Sequence, residues 1–210
     1  MAKNLSLAQK ILDTALALGE AQHWEKVRLH DVADALNLSL EDIRVHYREK
    51  EDLVEAWFDR ADSAMLREAS KAGFLKLNAR ERLHRLIMTW LEALAPHRQI
   101  TRQMILNKLE PGHVHIQVPA VMRVSRTVQW IREAARRDAT FLFRAVEETA
   151  LTSVYLVTFL YWMRDDSPNA WNTRRLLDRL LSLAQPIIGF GGAKEPATQA
   201  MASAVEEQQR

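Results

Sequence analysis

The sequence predicts an all-α protein, and three observations carry that prediction. Apolar residues recur at helical spacing nearly everywhere. Ala8, Ile11, Leu12, Ala15 and Leu18 are the first instance, following the i, i+3, i+4, i+7 pattern of a half-buried helix. No stretch alternates with the period of two that a half-buried strand requires. Gly and Pro number six each, few for a fold that needs many tight turns.

The elements follow in order. A first helix carries the pattern just given, and a short second one fits 29–36. Asn37-Leu38-Ser39 reads as a turn, with Ser39 the N-cap of a third helix that runs to about Tyr47. A fourth begins near Lys50. Glu51 and Asp52 lie in its first turn, where carboxylates suit the positive end of the helix dipole, and it continues to about Ala72. Beyond Gly73 the helices lengthen. One spans 80–95 and stops at Pro96; the next spans 98–109 and stops at Pro111-Gly112. Another spans 118–136 with Pro119 in its first turn, where proline is tolerated. The stretch 139–163 is the most apolar. Asp165-Asp166-Ser167-Pro168 has strong breaker chemistry, and a last helix covers 169–184. From Gly189 the chain is polar and rich in Gly and Ala, the composition expected of a mobile tail over 189–210.

Composition narrows the function classes. The 210 residues suit one or two domains, and 48% hydrophobic content with 27% charge supports a packed core. Cysteine is absent, which excludes disulfides, thiolate metal sites and thiol catalysis and fits a reducing cytoplasm. MAKNLSLAQKILD has no uncharged apolar core, so no signal peptide is expected. The longest uncharged run, 149–163, has 15 residues. A bilayer span needs about 20, so that run reads as a buried helix and no membrane insertion is expected. Charge is uneven. Residues 1–60 hold 8 Lys and Arg against 12 Asp and Glu, whereas 61–138 hold 14 against 7.

The second and third helices, braced by the first, have the form of a helix-turn-helix. Val32 and Ala33 face the core from the first arm, Leu38 fills the turn, and Ile43 faces the core from the second. Spacing alone leaves a plain three-helix bundle open.

The residues themselves carry a resemblance. From Ile11 to Leu53 the chain resembles the TetR family of one-component regulators. ILDTALALGEAQHW resembles that family's first helix, with His23 in place of the usual Gly and Trp24 keeping the aromatic. VADALNLS resembles its IA-x-x-x-G-V-S turn, with Asn37 in the glycine's place. HYREKEDLV, from His46 to Val54, resembles its H-F-x-x-K-E-D-L signature. The resemblance implies a TetR-like fold and a homodimer. It implies a helix-turn-helix domain over 1–47, then a ligand-binding and dimerising domain over 48–188, connected by the fourth helix.

The start of the recognition helix departs from the family. Pro, Gly, Thr and then Leu-Tyr are usual there; this chain has Leu40, Glu41, Asp42, Ile43 and Arg44. Residues early in that helix face base edges and phosphates. Carboxylates repel a backbone carrying one charge per roughly 1.7 Å of duplex, although they can accept from cytosine N4. The candidate DNA-binding residues are Arg28, Ser39, Glu41, Asp42, Arg44, His46, Tyr47, Arg48 and Lys50. Arg44, His46, Tyr47, Arg48 and Lys50 are the expected phosphate grips, and Arg28 adds a cation near the first arm.

A second resemblance lies in the C-terminal half. RTVQWIREAARRDATFLFRA and YWMRDDSPNAWNTRRLLDRL resemble segments of the isoprenoid-binding accessory protein family of coenzyme Q biosynthesis, which shares the TetR-like fold but binds lipid. That family touches membranes through an amphipathic C-terminal helix. The tail after Gly189 has no such apolar stripe.

The larger domain is rich in Met and Trp. These residues fill a helical core, where soft Met packs irregular gaps, or line an apolar cavity. The candidate ligand-binding residues are Trp90, Arg102, Met104, Met122, Arg126, Trp130 and Phe159. Arg102, Arg123 and Arg126 would hold an acid headgroup. The last two helices form the expected dimer interface through Tyr155, Leu176, Leu177, Leu180 and Leu181. Glu81-x-x-His84 and Glu110-x-x-His113 match the Glu-x-x-His spacing of di-iron bundles. The second contains Pro111-Gly112, however, and further helical glutamates are not evident. Both read as surface pairs, and His113-x-His115 reads as loop. No catalytic serine, Walker or Rossmann pattern occurs. Neither an enzyme, a metal nor a cofactor is expected. The reading is a ligand-responsive, sequence-specific DNA-binding regulator, a repressor acting on a palindromic operator. The alternative is a lipid-binding accessory protein whose helix-turn-helix is vestigial.

Overall fold

The computed structural model describes residues 6–108, 114–137 and 141–188 and, within them, the side chains of 6–106, 122–137 and 143–188. The Pro111-Gly112 stop and the 189–210 tail lie outside the described residues. Those described form nine α-helices and no strand. In order they are α1 (Leu7–Gln22), α2 (Leu29–Leu36), α3 (Leu40–His46), α4 (Lys50–Ala69), α5 (Ala79–Leu94), α6 (Arg98–Lys108), α7 (Val114–Ala134), α8 (Phe141–Trp162) and α9 (Trp171–Ile188).

Local chemistry sets the helix starts. Ser6 Oγ accepts from Gln9 N–H at 3.3 Å while Gln9 Oε1 accepts from Ser6 N–H at 3.1 Å, a reciprocal capping box that satisfies two orphan donors. Asn78 and Glu81 do the same at α5, both bonds at 2.9 Å. That role accounts for the Glu of the Glu81-x-x-His84 pair. Asn37 ends α2 in the left-handed region at φ 55°, which Asn visits more readily than most residues. The N–H of Leu38 then returns to Ala33 O at 2.9 Å, closing the tight turn that Ser39 caps into α3.

Three boundaries differ from the sequence expectation. The helix α4 ends at Ala69 rather than near Ala72. The helix α7 begins at Val114, so Pro119 falls in its second turn, and His115 lies in the first turn rather than in a loop. The helix α9 continues to Ile188 with Pro186 in its last turn, because its apolar face still has core to cover there: Ala184 and Ile188 are buried.

Helices α1, α2 and α3 pack around Ile11, Leu12, Leu16, Val32, Ala33 and Ile43. Helix α4 packs on α5 and α7, α5 on α9, and α8 on α9. Aromatic rings fill the centre of the larger bundle. Phe58 stacks on Trp90 at 5.9 Å, Tyr155 meets Trp90 edge-on at 5.3 Å, and Phe159 stacks on Tyr155 at 6.2 Å. Such pairs add to plain area burial.

The turn into α9 is organised by one buried carboxylate. Asp165 Oδ1 accepts from Ser167 N–H at 3.0 Å; its Oδ2 accepts from Thr173 N–H at 2.8 Å and Thr173 Oγ1–H at 2.6 Å. Burial pushes this acid up, but the bonds from Ser167 and Thr173 favour the charged form and hold it at about 2. A folded-state value below the unfolded one means stability that is present above pH ~4 and lost as the pH falls toward 2. Asp165→Ala is therefore expected to lower stability by about 2 kcal/mol at neutral pH. Urea melts across pH should show the gap from wild type closing below pH ~4; a pH-independent gap would contradict this account.

Candidate nucleic-acid interface

The α2–turn–α3 unit turns Ile43 inward, 1% exposed, and leaves the opposite face of α3 in solvent. That face presents Leu40, Glu41, Arg44 and Val45, with Leu40 56% and Val45 70% exposed. Apolar and charged groups therefore alternate on it.

The nine expected DNA-binding residues divide into two groups. Several are engaged by the protein itself. Ser39 Oγ accepts from Asp42 N–H at 3.2 Å, and Asp42 Oδ2 accepts from Ser39 N–H at 2.9 Å and from Ser39 Oγ–H at 2.7 Å. These bonds hold the Asp42 carboxyl below its usual range. Asp42 thus serves to start the helix. Tyr47 is buried, and its hydroxyl donates to Ala8 O at 3.0 Å. This corrects its expectation as a phosphate grip, because the ring is needed to pack α3 on α1. Lys50 Nζ donates to Trp24 O at 2.5 Å and Glu25 O at 3.1 Å, 5.0 Å from the centre of the Trp24 ring. Burial lowers its pKa. Arg28 Nη1 donates to Glu25 O at 2.5 Å and Val27 O at 3.3 Å. Lys50 and Arg28 together hold the carbonyls of Trp24 and Glu25 in the 3-10 turn Trp24–Lys26 and that of Val27 after it.

The second group faces solvent. Arg44 and Glu41 form a two-point pair, Nε to Oε2 and Nη2 to Oε1, both at 2.7 Å. Arg44 draws the Glu41 carboxyl down, and Glu41 in turn raises the Arg44 pKa. The side chains of His46 and Arg48 are exposed at the end of α3.

Sequence reasoning missed the seam between this unit and the rest. Trp24 N–H donates to Gln103 Oε1 at 2.7 Å, and the Trp57 indole N–H donates to Thr101 Oγ1 at 2.9 Å. His97 Nδ1 lies 2.6 Å from Glu20 Oε1, and Arg60 pairs with Asp13 at 2.7 Å. A Cβ at Gly19 would stand 3.2 Å from Trp24 Cε3 and 3.4 Å from Ile100 Cδ1. The available signal was a lone glycine inside a strong helical pattern, which often marks close packing.

In the larger bundle the expected ligand residues separate. Trp90, Met104 and Phe159 are buried; Arg102, Met122, Arg126 and Trp130 are exposed. Of the three arginines expected to hold an acid headgroup, Arg123 is the one that lies inside. Its Nη2 donates to Asp62 Oδ2 at 2.7 Å, and its Nη1 donates to Asp59 and, at 3.3 Å, to Glu55. The Trp90 indole and the Thr127 hydroxyl donate to Asp62 Oδ1 at 2.7 and 3.1 Å. Burial raises the Asp62 pKa despite the Arg123 charge. Arg123 is thus bound to the chain's own carboxylates rather than set out for a ligand's headgroup. A groove of about 700 Å³ between α5 and α9 is bordered by Arg80, His84, Arg85, Glu92, Arg174 and Asp178. None of the seven expected ligand residues lines it.

Three expected interface residues, Tyr155, Leu177 and Leu181, are buried in the protomer's own core, and Leu176 and Leu180 are half-buried. The apolar side chains actually exposed include Val146, Val157, Leu160 and Tyr161 on α8 and Leu183 and Ile187 on α9. Among the described residues no group of three or more His, Asp or Glu could hold a metal ion, and no helix is long and apolar enough to cross a membrane.

Comparison with solved structures finds a TetR transcriptional regulator from Nitrosomonas europaea that is 56% identical. The match has a TM-score of 0.76 and covers 85% of this chain and 97% of that one. A bacterial regulatory protein in the TetR family from Rhodococcus RHA1 is 21% identical, with a TM-score of 0.46, over 90% of this chain and 100% of that one. Comparisons with protein-family models and with curated proteins find no match.

The inward position of Tyr47 has a measurable consequence. Tyr47→Phe keeps the packed ring and leaves Ala8 O without this partner, so stability is expected to fall by about 1 kcal/mol. Chemical denaturation reads that loss. An unchanged midpoint would mean the hydroxyl bond contributes nothing.

Proposed function

As this chain belongs to the TetR family, we propose that it is a transcriptional regulator, a repressor that binds a palindromic DNA operator as a homodimer and responds to an apolar ligand. The observation that carries the reading is the 56% identity to a TetR transcriptional regulator over nearly all of that relative's length. The helix-turn-helix supports it: α3 is capped at its start, packed by Ile43 and Tyr47, and open on the face that would enter a major groove. Arg48 is the open cation for phosphate, and the exposed His46 ring can donate a hydrogen bond beside it. Dimerisation sets two α3 helices at a fixed separation, and half-sites one turn apart lie about 34 Å from centre to centre. A ligand acts by favouring a dimer whose separation no longer fits. The apolar and aromatic composition of the larger bundle supports an apolar ligand such as an acyl or isoprenoid chain. The site of action of such a regulator is the cytoplasm.

A second reading is favoured by one observation. The cations Arg28, Arg44 and Lys50 are all engaged by the protein's own groups, and the α3 face carries Glu41. In that reading the chain is a lipid-binding accessory protein and its helix-turn-helix no longer meets DNA.

Two outcomes are expected. The exposed apolar stripes of α8 and α9 would form a four-helix interface burying more than about 1,000 Å². Val157→Glu combined with Leu183→Glu should convert a dimer to 24.2 kDa particles in sedimentation while helix content is kept; wild type sedimenting as monomers at micromolar concentration would reject the dimer. Selection from random duplex DNA at low salt should enrich a palindrome. Arg48→Ala should then weaken binding to all sequences and reduce the log–log salt slope by about one. No enriched palindrome, with bound lipid retained in native mass spectrometry, would reject the regulator and leave the lipid-binding reading.

A further inference from the structure

We propose that Glu41 is a positioning residue that aims Arg44 at a guanine of the operator, rather than a carboxylate that merely opposes DNA. The inference rests on the DNA-binding reading above and names how α3 would discriminate bases. Glu41 and Arg44 lie three residues apart, so their side chains share the outward face of α3. They meet fork to fork, with both contacts at 2.7 Å, the planar two-point geometry that fixes a guanidinium in orientation as well as place.

A guanidinium carries five N–H groups. The pair uses the single N–H on Nε and one of the two on Nη2. Both N–H groups of Nη1 and one of Nη2 are left, and they lie along the far edge of the same plane. That edge is the fork that matches guanine O6 and N7 in the major groove. Glu41 therefore consumes the side of Arg44 that does not read bases and leaves the side that does.

Competition for Arg44 is also settled. An unrestrained arginine on this face could swing to a phosphate, which carries no sequence information. Glu41 repels phosphate and holds the guanidinium back from it. Asp42 is instead drawn to the helix start, where its Oδ2 accepts both bonds from Ser39, while both bonds of Arg44 go to Glu41. Leu40 and Val45, exposed beside the pair, would exclude water on docking, and a dry site strengthens both the pair and the base contact. Fold stability does not explain the pair. Glu41 and Arg44 are 64% and 65% exposed, and exposed ion pairs contribute little.

The test uses the full chain and its selected duplex. Wild type, Glu41→Ala and Arg44→Lys are titrated against three duplexes: the selected one, the same with 7-deazaguanine at each half-site guanine in turn, and an unrelated sequence. Removing N7 at one guanine is expected to weaken wild type roughly tenfold. Glu41→Ala should bind the unrelated duplex roughly twofold more tightly, one repulsive charge having gone. Its preference for the selected duplex should nevertheless fall roughly tenfold. Arg44→Lys should lose the 7-deazaguanine effect. A Glu41→Ala protein that keeps both its preference and its 7-deazaguanine response overturns the inference and leaves the regulator standing. A wild type that prefers no sequence overturns the regulator and the inference together.

Discussion

Three helices meet on one buried carboxylate. Asp62, 6% exposed on α4, accepts hydrogen bonds from Trp90 on α5 and from Arg123 and Thr127 on α7. A charge taken from water at this depth is tolerable only with partners on its lone pairs, so α5 and α7 must stand where they do for α4 to keep Asp62. Asp59 and Glu55, one and two turns nearer the helix-turn-helix, hold the same Arg123. The aromatic cluster of Phe58, Trp90, Tyr155 and Phe159 closes over this polar centre. The larger bundle is thus referenced to α4, and α4 leads directly from the helix-turn-helix unit.

The second link between the two regions runs through α6. Gln103 holds the backbone of Trp24, Thr101 holds the Trp57 indole, and Ile100 fills the space that Gly19 leaves open. A displacement of α6 or α7 would therefore reach α1 and α4 by direct contact. The ligand response proposed above would have this physical route, because packed side chains and paired charges shift between discrete arrangements rather than yielding gradually.

The helix-turn-helix unit illustrates how a small group of helices shares its polar groups. Three short helices have many orphan N–H and C=O groups for their length. Ser39 and Asp42 satisfy the start of α3, Lys50 and Arg28 satisfy the carbonyls before α2, and Tyr47 satisfies Ala8. Cations used in this way are withdrawn from a nucleic-acid partner. What stays outward is a restrained Glu41–Arg44 pair, two apolar side chains, and the open His46 and Arg48.

The sequence by itself determined the helices, most of their ends, and the helix-turn-helix. Those depend on contacts within four residues, where periodicity, the Ser39 cap and the tolerance of Asn37 for a positive φ are all legible. It also carried the family resemblance in HYREKEDLV. Only the tertiary structure decided which cations are open. Lys50 and Arg28 look like phosphate grips until the carbonyls of the Trp24–Lys26 turn are seen beside them, and Arg123 looks like a ligand's anchor until Asp62 and Asp59 are brought across from α4. Exposure on the last two helices was decided in the same way: the sequence offers Tyr155, Leu176, Leu177, Leu180 and Leu181 alike for an interface, and only packing against neighbouring helices buries Tyr155, Leu177 and Leu181 and leaves Leu176 and Leu180 half-buried. The physical reason is range. A helix's own sequence specifies its apolar and charged faces, whereas the neighbour that covers each face lies up to 98 residues away in the chain, as Asp178 does from Arg80.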